Sequence, residues 1–432
     1  KMKKMDYQNV KGTQDYLPDA EIIRRKIRRT LEDVFIQYGC KPLETPILNY
    51  TSLLASKYGG GAEILEEMYT LTDRGGRELA LRYDLTMPFA KVVAMNPALS
   101  LPFKRYEIGR VFRDGPIKTG RFREFTQCDV DIVGVDSQIA EAELMAMAID
   151  AFGKLGLDVI IQYNNRKLLA GMLRVFGLER EKINPVILIL DKLEKVGLNA
   201  VVSELNEQGL SNSTISLLER FLLEAKNVSY FESFAPGNDE VREGLKELNE
   251  LESYLSILGI NQQCVFNPFL ARGLEIYTGT IYEIFLTNQS IKSSIGSGGR
   301  YDQAIGGLIG TGENYSTVGI SFGLDVIYTA ISSITGPSES KSDVDYYIIP
   351  LGTLKESLLV ANALREKGFK VELEMSNKKM SKALKKANKE RISTVILIGE
   401  EEVRNNQIKV KDMTSGLEIN EDFSFNASSI DN

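Results

Sequence analysis

Along residues 20–38 apolar side chains return at helical spacing. Ile23, Ile27, Leu31, Val34 and Phe35 share one face, and Arg24, Arg25, Lys26, Arg28 and Arg29 lie between them. This predicts an amphipathic helix whose basic residues are its solvated side. The pattern becomes strand-like in LALRYDLT, RYEIGRVFR and RFREFTQCDVDIVG, then helical again over 139–156. A sheet built largely of antiparallel hairpins, with helices around it, follows from that alternation. Residues 166–258, rich in Leu, Glu, Lys and Asn, keep a helical period and read as a mostly helical insertion. Strand character resumes in LARGLEIYTGTIYEIFL and SIGSGGRYD, followed by an apolar helix after Gly323.

Residues 332–342 have the Ser, Gly and Pro content of a linker. They divide the chain into a unit of residues 1–331 and a second of residues 343–432. In the second, strands DYYIIPL, FKVELEM and TVILIG alternate with helices over 353–367 and 377–390, which predicts a small α/β domain with a largely parallel sheet. The expected class is therefore α+β in the first unit and α/β in the second.

Composition narrows the chemistry. Of 432 residues, 52 are Lys or Arg and 59 are Asp or Glu, so a basic coat over the whole molecule is excluded while a local basic face is not. The chain has no histidine. Ser-His-Asp and Cys-His catalysis, His-ligated metal sites and a histidine pH switch are all ruled out. With no imidazole titrating near neutrality, the unfolding free energy of the ligand-free protein is expected to be flat between about pH 6 and 7.5. Cys40, Cys128 and Cys264 are far apart without CxxC spacing, so no metal site is expected from them, and reduced thiols are. No apolar run approaches the ~20 residues that span a bilayer, and the first residues lack the apolar stretch of a signal peptide. A cytoplasmic protein without membrane contact is expected.

The segment RYEIGRVFRDGPIKTGRFREFTQ, residues 105–127, reads as two antiparallel strands joined by a loop containing Gly, Pro and Lys. Alternation places Arg121, Arg123, Gln127, Asp129 and Asp131 on one side of the return strand. Cations and carboxylates crowded on one face need solvent, partners or a charged ligand. A nucleoside triphosphate beside an amino acid matches such a face, with guanidinium forks for phosphate and carboxylates for ammonium. An exposed ion-pair network accounts for the same residues equally well.

That hairpin resembles motif two of the class II aminoacyl-tRNA synthetases, with FRD at 112–114 as the phosphate-binding arginine and its acidic neighbour. LARGLEIYTGT at 270–280 and GGRYD at 298–302 resemble the two signatures of the histidyl-tRNA synthetase family. DRGGRELALRYDLT at 73–86 resembles the family's segment for the substrate amino group, its RYD spelling being similar to the archaeal and eukaryotic branch. The opening VKGTQDYLP is also similar to that family, and all these segments occur in the family's order.

The resemblance implies a class II catalytic domain followed by an anticodon-binding domain. It implies histidine activation with ATP and Mg²⁺, transfer to tRNA(His), and a homodimer. It assigns Asp84, Thr86, Gln127 and Asp131 to the histidine ammonium, with Asp84 and Thr86 two apart on a strand and hence on one face. Arg113, Arg121 and Arg123 go to ATP. Arg272 goes to the α-phosphate and substrate carboxylate, where it would stand in for a metal ion. Glu275, Tyr277 and Tyr301 go to the imidazole. For Gly296, Gly298 and Gly299 a tight turn is the expected reason. Motif three of the family closes with Gly-Leu-Glu-Arg, whereas this chain has Val326 at the arginine position. A hydrogen bond to a charged group contributes roughly 1.5–3 kcal/mol, so weaker ATP binding or a substitute cation is expected.

In the second unit Lys378, Lys382, Lys385, Lys386 and Lys389 fall on one helix face, opposite Ala383, Leu384 and Ala387, as an RNA backbone requires. A solvated lysine face explains them without RNA. Two rival readings bind without chemistry: the related regulatory subunit of ATP phosphoribosyltransferase, and a tRNA- or histidine-binding protein.

Overall fold

A computed structural model describes residues 7–56, 65–117, 120–271, 276–335, 342–376 and 378–425. The chain divides into two compact units, Lys1–Ile334 and Thr335–Asn432. In the first, eight strands form one sheet in the order β1-β5-β6-β11-β10-β9-β7-β8. They are β1 (Lys41–Pro42), β5 (Phe103–Phe112), β6 (Glu124–Val133), β7 (Val159–Asn165), β8 (Cys264–Phe266), β9 (Thr280–Leu286), β10 (Gly296–Arg300) and β11 (Thr317–Gly323). All neighbours run antiparallel except β1 with β5 and β7 with β8. The remaining strands, β2 (Leu48–Tyr50), β3 (Thr70–Thr72) and β4 (Glu78–Leu81), make a small sheet in the order β2-β4-β3.

The two faces of the large sheet have opposite chemistry because its strands alternate. Cys128, Val130 and Ile132 of β6 and Ile320 and Phe322 of β11 enter the main apolar core. There they meet the helix Pro18–Gln37 through Ile27, Leu31, Val34 and Phe35, and the helix Ile139–Lys154 through Phe152. Phe322 lies between Phe35 and Phe152, with ring centroids 5.8 and 5.4 Å away. Burying such side chains contributes about 1.5–3 kcal/mol each. With this face sealed by helices, the intervening residues of the same strands are left to the opposite side. Between β7 and β8 the chain runs through a series of helices, of which Arg166–Val175 and Asp239–Ile257 pack together.

The second unit holds β12 (Tyr346–Leu351), β13 (Val371–Leu373), β14 (Thr394–Gly399), β15 (Gln407–Asp412) and β16 (Glu418–Asp422), in the order β13-β12-β14-β15-β16. The first three are parallel, as the alternating pattern predicts, but β15 and β16 join antiparallel. The sheet is therefore mixed rather than largely parallel. Its last strand, EINED, is exposed at every position and carries no apolar alternation that would have announced it.

Candidate active site

On the face away from the helices Pro18–Gln37 and Ile139–Lys154, three rows of side chains meet across β5, β6 and β11. Arg105, Asp131 and Gly319 form one row; Glu107, Asp129 and Ser321 the next; Gly109, Gln127 and Gly323 the third. Arg105 is fully buried and lies 2.6 Å from Asp131 Oδ2 and 3.4 Å from Glu107 Oε2. Its Nη2 also donates to the Leu85 carbonyl at 3.1 Å, and its guanidinium sits 4.4 Å from the Phe89 ring centre. Arg82 reaches the other oxygen of Glu107 at 3.0 Å and the Thr45 carbonyl at 2.6 Å. Tyr301 donates to Asp131 Oδ1 at 2.5 Å. Arg82, Arg105, Glu107, Asp131 and Tyr301 thus form a paired network under a cavity rather than a solvated face.

That cavity, about 50 Å³, is lined by Asp84, Thr86, Asp129, Asp131, Tyr277, Tyr301 and the glycines of β10 and β11. The structure brings together five of the residues expected at the amino acid site: Asp84, Thr86, Asp131, Tyr277 and Tyr301. Gln127 stands further along β6 with its Oε1 buried and without a hydrogen-bond partner. Arg272 and Glu275 lie outside the described residues.

Asp84 and Thr86 do not share a strand. β4 ends at Leu81, and Thr86 is the first residue of the helix Thr86–Met95. Asp84 Oδ1 accepts the Met87 N–H at 3.1 Å, satisfying a donor that the helix start leaves open. Pro88 follows within the first turn, where its missing N–H costs nothing. A helix start rather than a pleat therefore turns both residues to the cavity. The glycines correct a second expectation. Gly298 and Gly299 are strand residues, and neither they nor Gly296 has φ in the left-handed region. A Cβ on Gly298 would strike the Gly319 carbonyl, one on Gly319 would strike Asp131, and one on Gly299 would lie 2.6 Å from the Thr280 carbonyl. Close approach of backbone and side chain, not a turn, requires them.

Arg113 follows β5. Its Nε donates to the Tyr83 carbonyl at 3.0 Å and its guanidinium is 5.3 Å from the Phe125 ring centre, with Asp84 as its principal favourable charge. Arg121 and Arg123 precede β6 and so do not share its pleat with Gln127, Asp129 and Asp131. Arg121 is half exposed, 3.9 Å from Glu67. Arg123 pairs with Asp114 at 3.0 Å, and its backbone N–H donates to Gly12. Gly12, at φ +85°, lies so close that a Cβ there would be 2.6 Å from the Arg123 side chain. Val326 packs near Gly120 of the same loop, while its neighbour Asp325 is tied to Arg24 at 2.5 Å, the Tyr16 hydroxyl at 2.7 Å and the Thr126 N–H at 2.8 Å. The roles of Arg82, Arg105 and Glu107 were not anticipated from sequence. Alternating charges at 105 and 107 were the only signal, and their partners are distant in the chain.

Burial raises the carboxyls of Asp84 and Asp131, and that of Asp129 rises to about 8, with Asp131 adding to burial against the pull of Arg105. This overturns the expectation of flat stability. An unfolded aspartate titrates near 3.9, so between about pH 4 and 8 the folded chain holds a proton that the unfolded chain has lost. Stability then falls as pH rises through this window, with the penalty absent below it and complete above it. Urea unfolding of the ligand-free protein is expected to lose roughly 1–2 kcal/mol between pH 6 and 7.5; an unchanged or rising value would contradict it.

In the second unit the lysines divide. Lys378 precedes the helix Met380–Lys389 and sits 3.4 Å from Glu374, so it is not part of that helix's face. Against the burial that raises it, bonds from Ser376 and Tyr347 hold the Glu374 carboxyl down to about 2. Lys386 pairs with Glu372 and lies 4.9 Å from the Tyr347 ring centre. Lys382, Lys385 and Lys389 are exposed, and Ala383 and Ala387 are buried on the opposite side.

The family model described as Histidyl-tRNA synthetase matches residues 12–327, and the one described as Anticodon binding domain matches residues 345–426. The chain is 61% identical to Histidine--tRNA ligase 2 of Shouchella clausii, covering 98% of this chain and 100% of that one. It is 56% identical to Histidine--tRNA ligase 1 of Bacillus cereus, covering 96% and 97%. Among solved structures, histidyl-tRNA synthetase from Nostoc sp. PCC 7120 superposes with a TM-score of 0.83 at 27% identity, covering 97% of each chain.

Proposed function

The chain belongs to the histidyl-tRNA synthetase family, and from that premise we infer how it works as a histidine–tRNA ligase. Histidine and ATP give histidyl-adenylate and pyrophosphate, and the histidyl group then passes to tRNA(His). The observation that carries the reading is full-length likeness to ligases joined to a cavity where Asp84, Thr86, Asp131, Tyr277 and Tyr301 converge. A purely regulatory subunit is not favoured, because the likeness extends through an anticodon-binding domain.

Activation requires positioning and charge stabilisation more than proton transfer, since the attacking carboxylate is already ionised. Asp84 and Thr86 hold the ammonium, with Gln127 and Asp131 beside them, and Tyr277, Tyr301 and Glu275 frame the ring. Arg113 takes ATP phosphate, with Arg121 and Arg123 along the loop. Arg272 takes the α-phosphate and the attacking carboxylate. Mg²⁺ arrives on ATP as part of the substrate. The buried pairing of Arg105 with Asp131 supports a pocket whose geometry is set before the substrate arrives. Histidine-dependent exchange of pyrophosphate into ATP tests the reading, and its absence with every amino acid would defeat it.

We place this enzyme in the cytoplasm; no described helix is long and apolar enough to cross a membrane. A homodimer is proposed with it, β1 being an edge strand of the large sheet. The anticodon-binding domain takes tRNA through Lys378, Lys382, Lys385, Lys386 and Lys389, of which Lys382 and Lys385 are exposed without an ion pair among the described residues. Charge reversal at Lys382 and Lys385 is expected to weaken tRNA binding and lower its salt slope by about two, since each neutralised phosphate releases counter-ions. Adenylate formation without tRNA should be unchanged. An unaltered slope would return these lysines to the role of a solvated face.

A further inference from the structure

β10 and β6 are not neighbours in the large sheet; β11 lies between them. Two consecutive residues nevertheless join them, one on each face. On the cavity side Tyr301 reaches over Gly319 to donate to Asp131 Oδ1, an approach that a side chain on Gly319 would block. On the other side stands Arg300, only 3% exposed, in register with Val318 of β11 and through it with Ile132 of β6. Its Nε and Nη2 donate to the two oxygens of Glu141 at 2.6 and 2.8 Å. Nη1 donates to the Val135 carbonyl at 2.9 Å and Nη2 to the Ser137 carbonyl at 3.3 Å, while Asp302 Oδ1 lies 3.5 Å from Nη1. The N–H groups of a guanidinium point in fixed directions, so these acceptors define where it sits. Val135 and Ser137 follow β6 directly, and Glu141, fully buried, is in the first turn of the helix Ile139–Lys154.

The end of β10 needs such an anchor. Its sequence, GSGGR, is mostly glycine, the residue that restrains the backbone least. The strand ends at Arg300, so Tyr301 stands beyond the ladder with its N–H on the Thr317 carbonyl. We propose that Arg300 is a positioning residue: clamped by Glu141, Val135 and Ser137, it fixes Tyr301 and so sets where the Tyr301 hydroxyl meets Asp131 at the cavity wall. This rests on the reading that histidine is the amino acid activated there. The cavity is about 50 Å³, so a small displacement of Tyr301 changes its shape. Arg300 and Glu141 are not among the residues that line it. They act on the amino acid only through what they hold.

Histidine-dependent pyrophosphate exchange by the whole chain, expressed per adenylate-forming site, tests this in Arg300→Lys and Glu141→Gln. Lysine keeps a charge for Glu141 without the fork, and glutamine keeps the shape of Glu141 without its charge. In both, kcat/KM for histidine is expected to fall by roughly 10–10²-fold, the cost of a misplacement near 1 Å, mostly as a rise in KM. KM for ATP should be unchanged, since Arg113 is anchored separately on the Tyr83 carbonyl. Tyr301→Phe then asks whether the effect runs through the hydroxyl. Its loss and that of Glu141→Gln are expected to overlap in the double variant, because no hydroxyl is left to position. Lower thermal stability with an unchanged KM for histidine overturns the proposal, and so do losses that multiply. Glu141→Asp keeps the charge and withdraws it by one methylene, so it carries the same comparison if Arg300→Lys does not fold. Exchange by the wild type separates the two readings. Without histidine-dependent exchange the ligase reading fails, whereas with exchange and an unmoved KM in the variants only the positioning inference does.

Discussion

Replacing Arg113 by alanine is expected to lower histidine-dependent pyrophosphate exchange by about 10²–10³, the usual cost of one preorganised donor to a developing charge. The side chain is held before substrate arrives: its Nε is fixed on the Tyr83 carbonyl and its guanidinium lies near the Phe125 ring. No carboxylate among the described residues lies within ion-pair distance of it, so its charge remains for phosphate. Because the lost interaction is strongest in the transition state, kcat should fall while KM for histidine changes little. Lysine at the position should recover a part, restoring charge without the fork. Exchange near the wild-type rate would remove Arg113 from the mechanism.

Arg105→Met should act on stability instead. It removes the guanidinium between Asp131 and Glu107 and leaves carboxylates buried with a partner missing, a defect that costs about 3–5 kcal/mol. Adding Asp131→Asn should recover part of the loss, because it withdraws one stranded charge; the pair being in contact, their effects will not add. A loss below about 1 kcal/mol in urea unfolding would mean that the network tolerates an unpaired charge, contrary to the expected cost.

The hairpin of β5 and β6 was legible because its apolar residues alternate and its loop carries turn chemistry. The helix Pro18–Gln37 was legible because one stripe is buried, but Arg24, read as part of its solvated side, is itself buried against Asp325. Asp84 and Thr86 line one cavity, but not through the shared strand that the sequence suggested: RYDLT has strand composition, and only the capping bond from Met87 and the placement of Pro88 reveal the helix start. The β10 glycines could not be understood from spacing, since what they avoid lies on β9, β11 and the segment around Tyr277. The lysine stripe was read by periodicity alone, which cannot see that Glu372 and Glu374 engage two of its members. Asp129 was visible as a charge on the β6 face, but its lack of an ion pair among the described residues emerges only when Arg82 and Arg105 are found with their partners.

Every ion pair, core contact and cavity wall described above is built without imidazole, since residues 1–432 include no histidine. A ribosome translating this stretch never pauses for histidyl-tRNA. When cellular histidine runs short and charged tRNA(His) is exhausted, translation stalls at histidine codons, and a message for this sequence has none. Translation of these 432 residues thereby draws on none of the catalyst's own product, and an empty charged pool does not interrupt it.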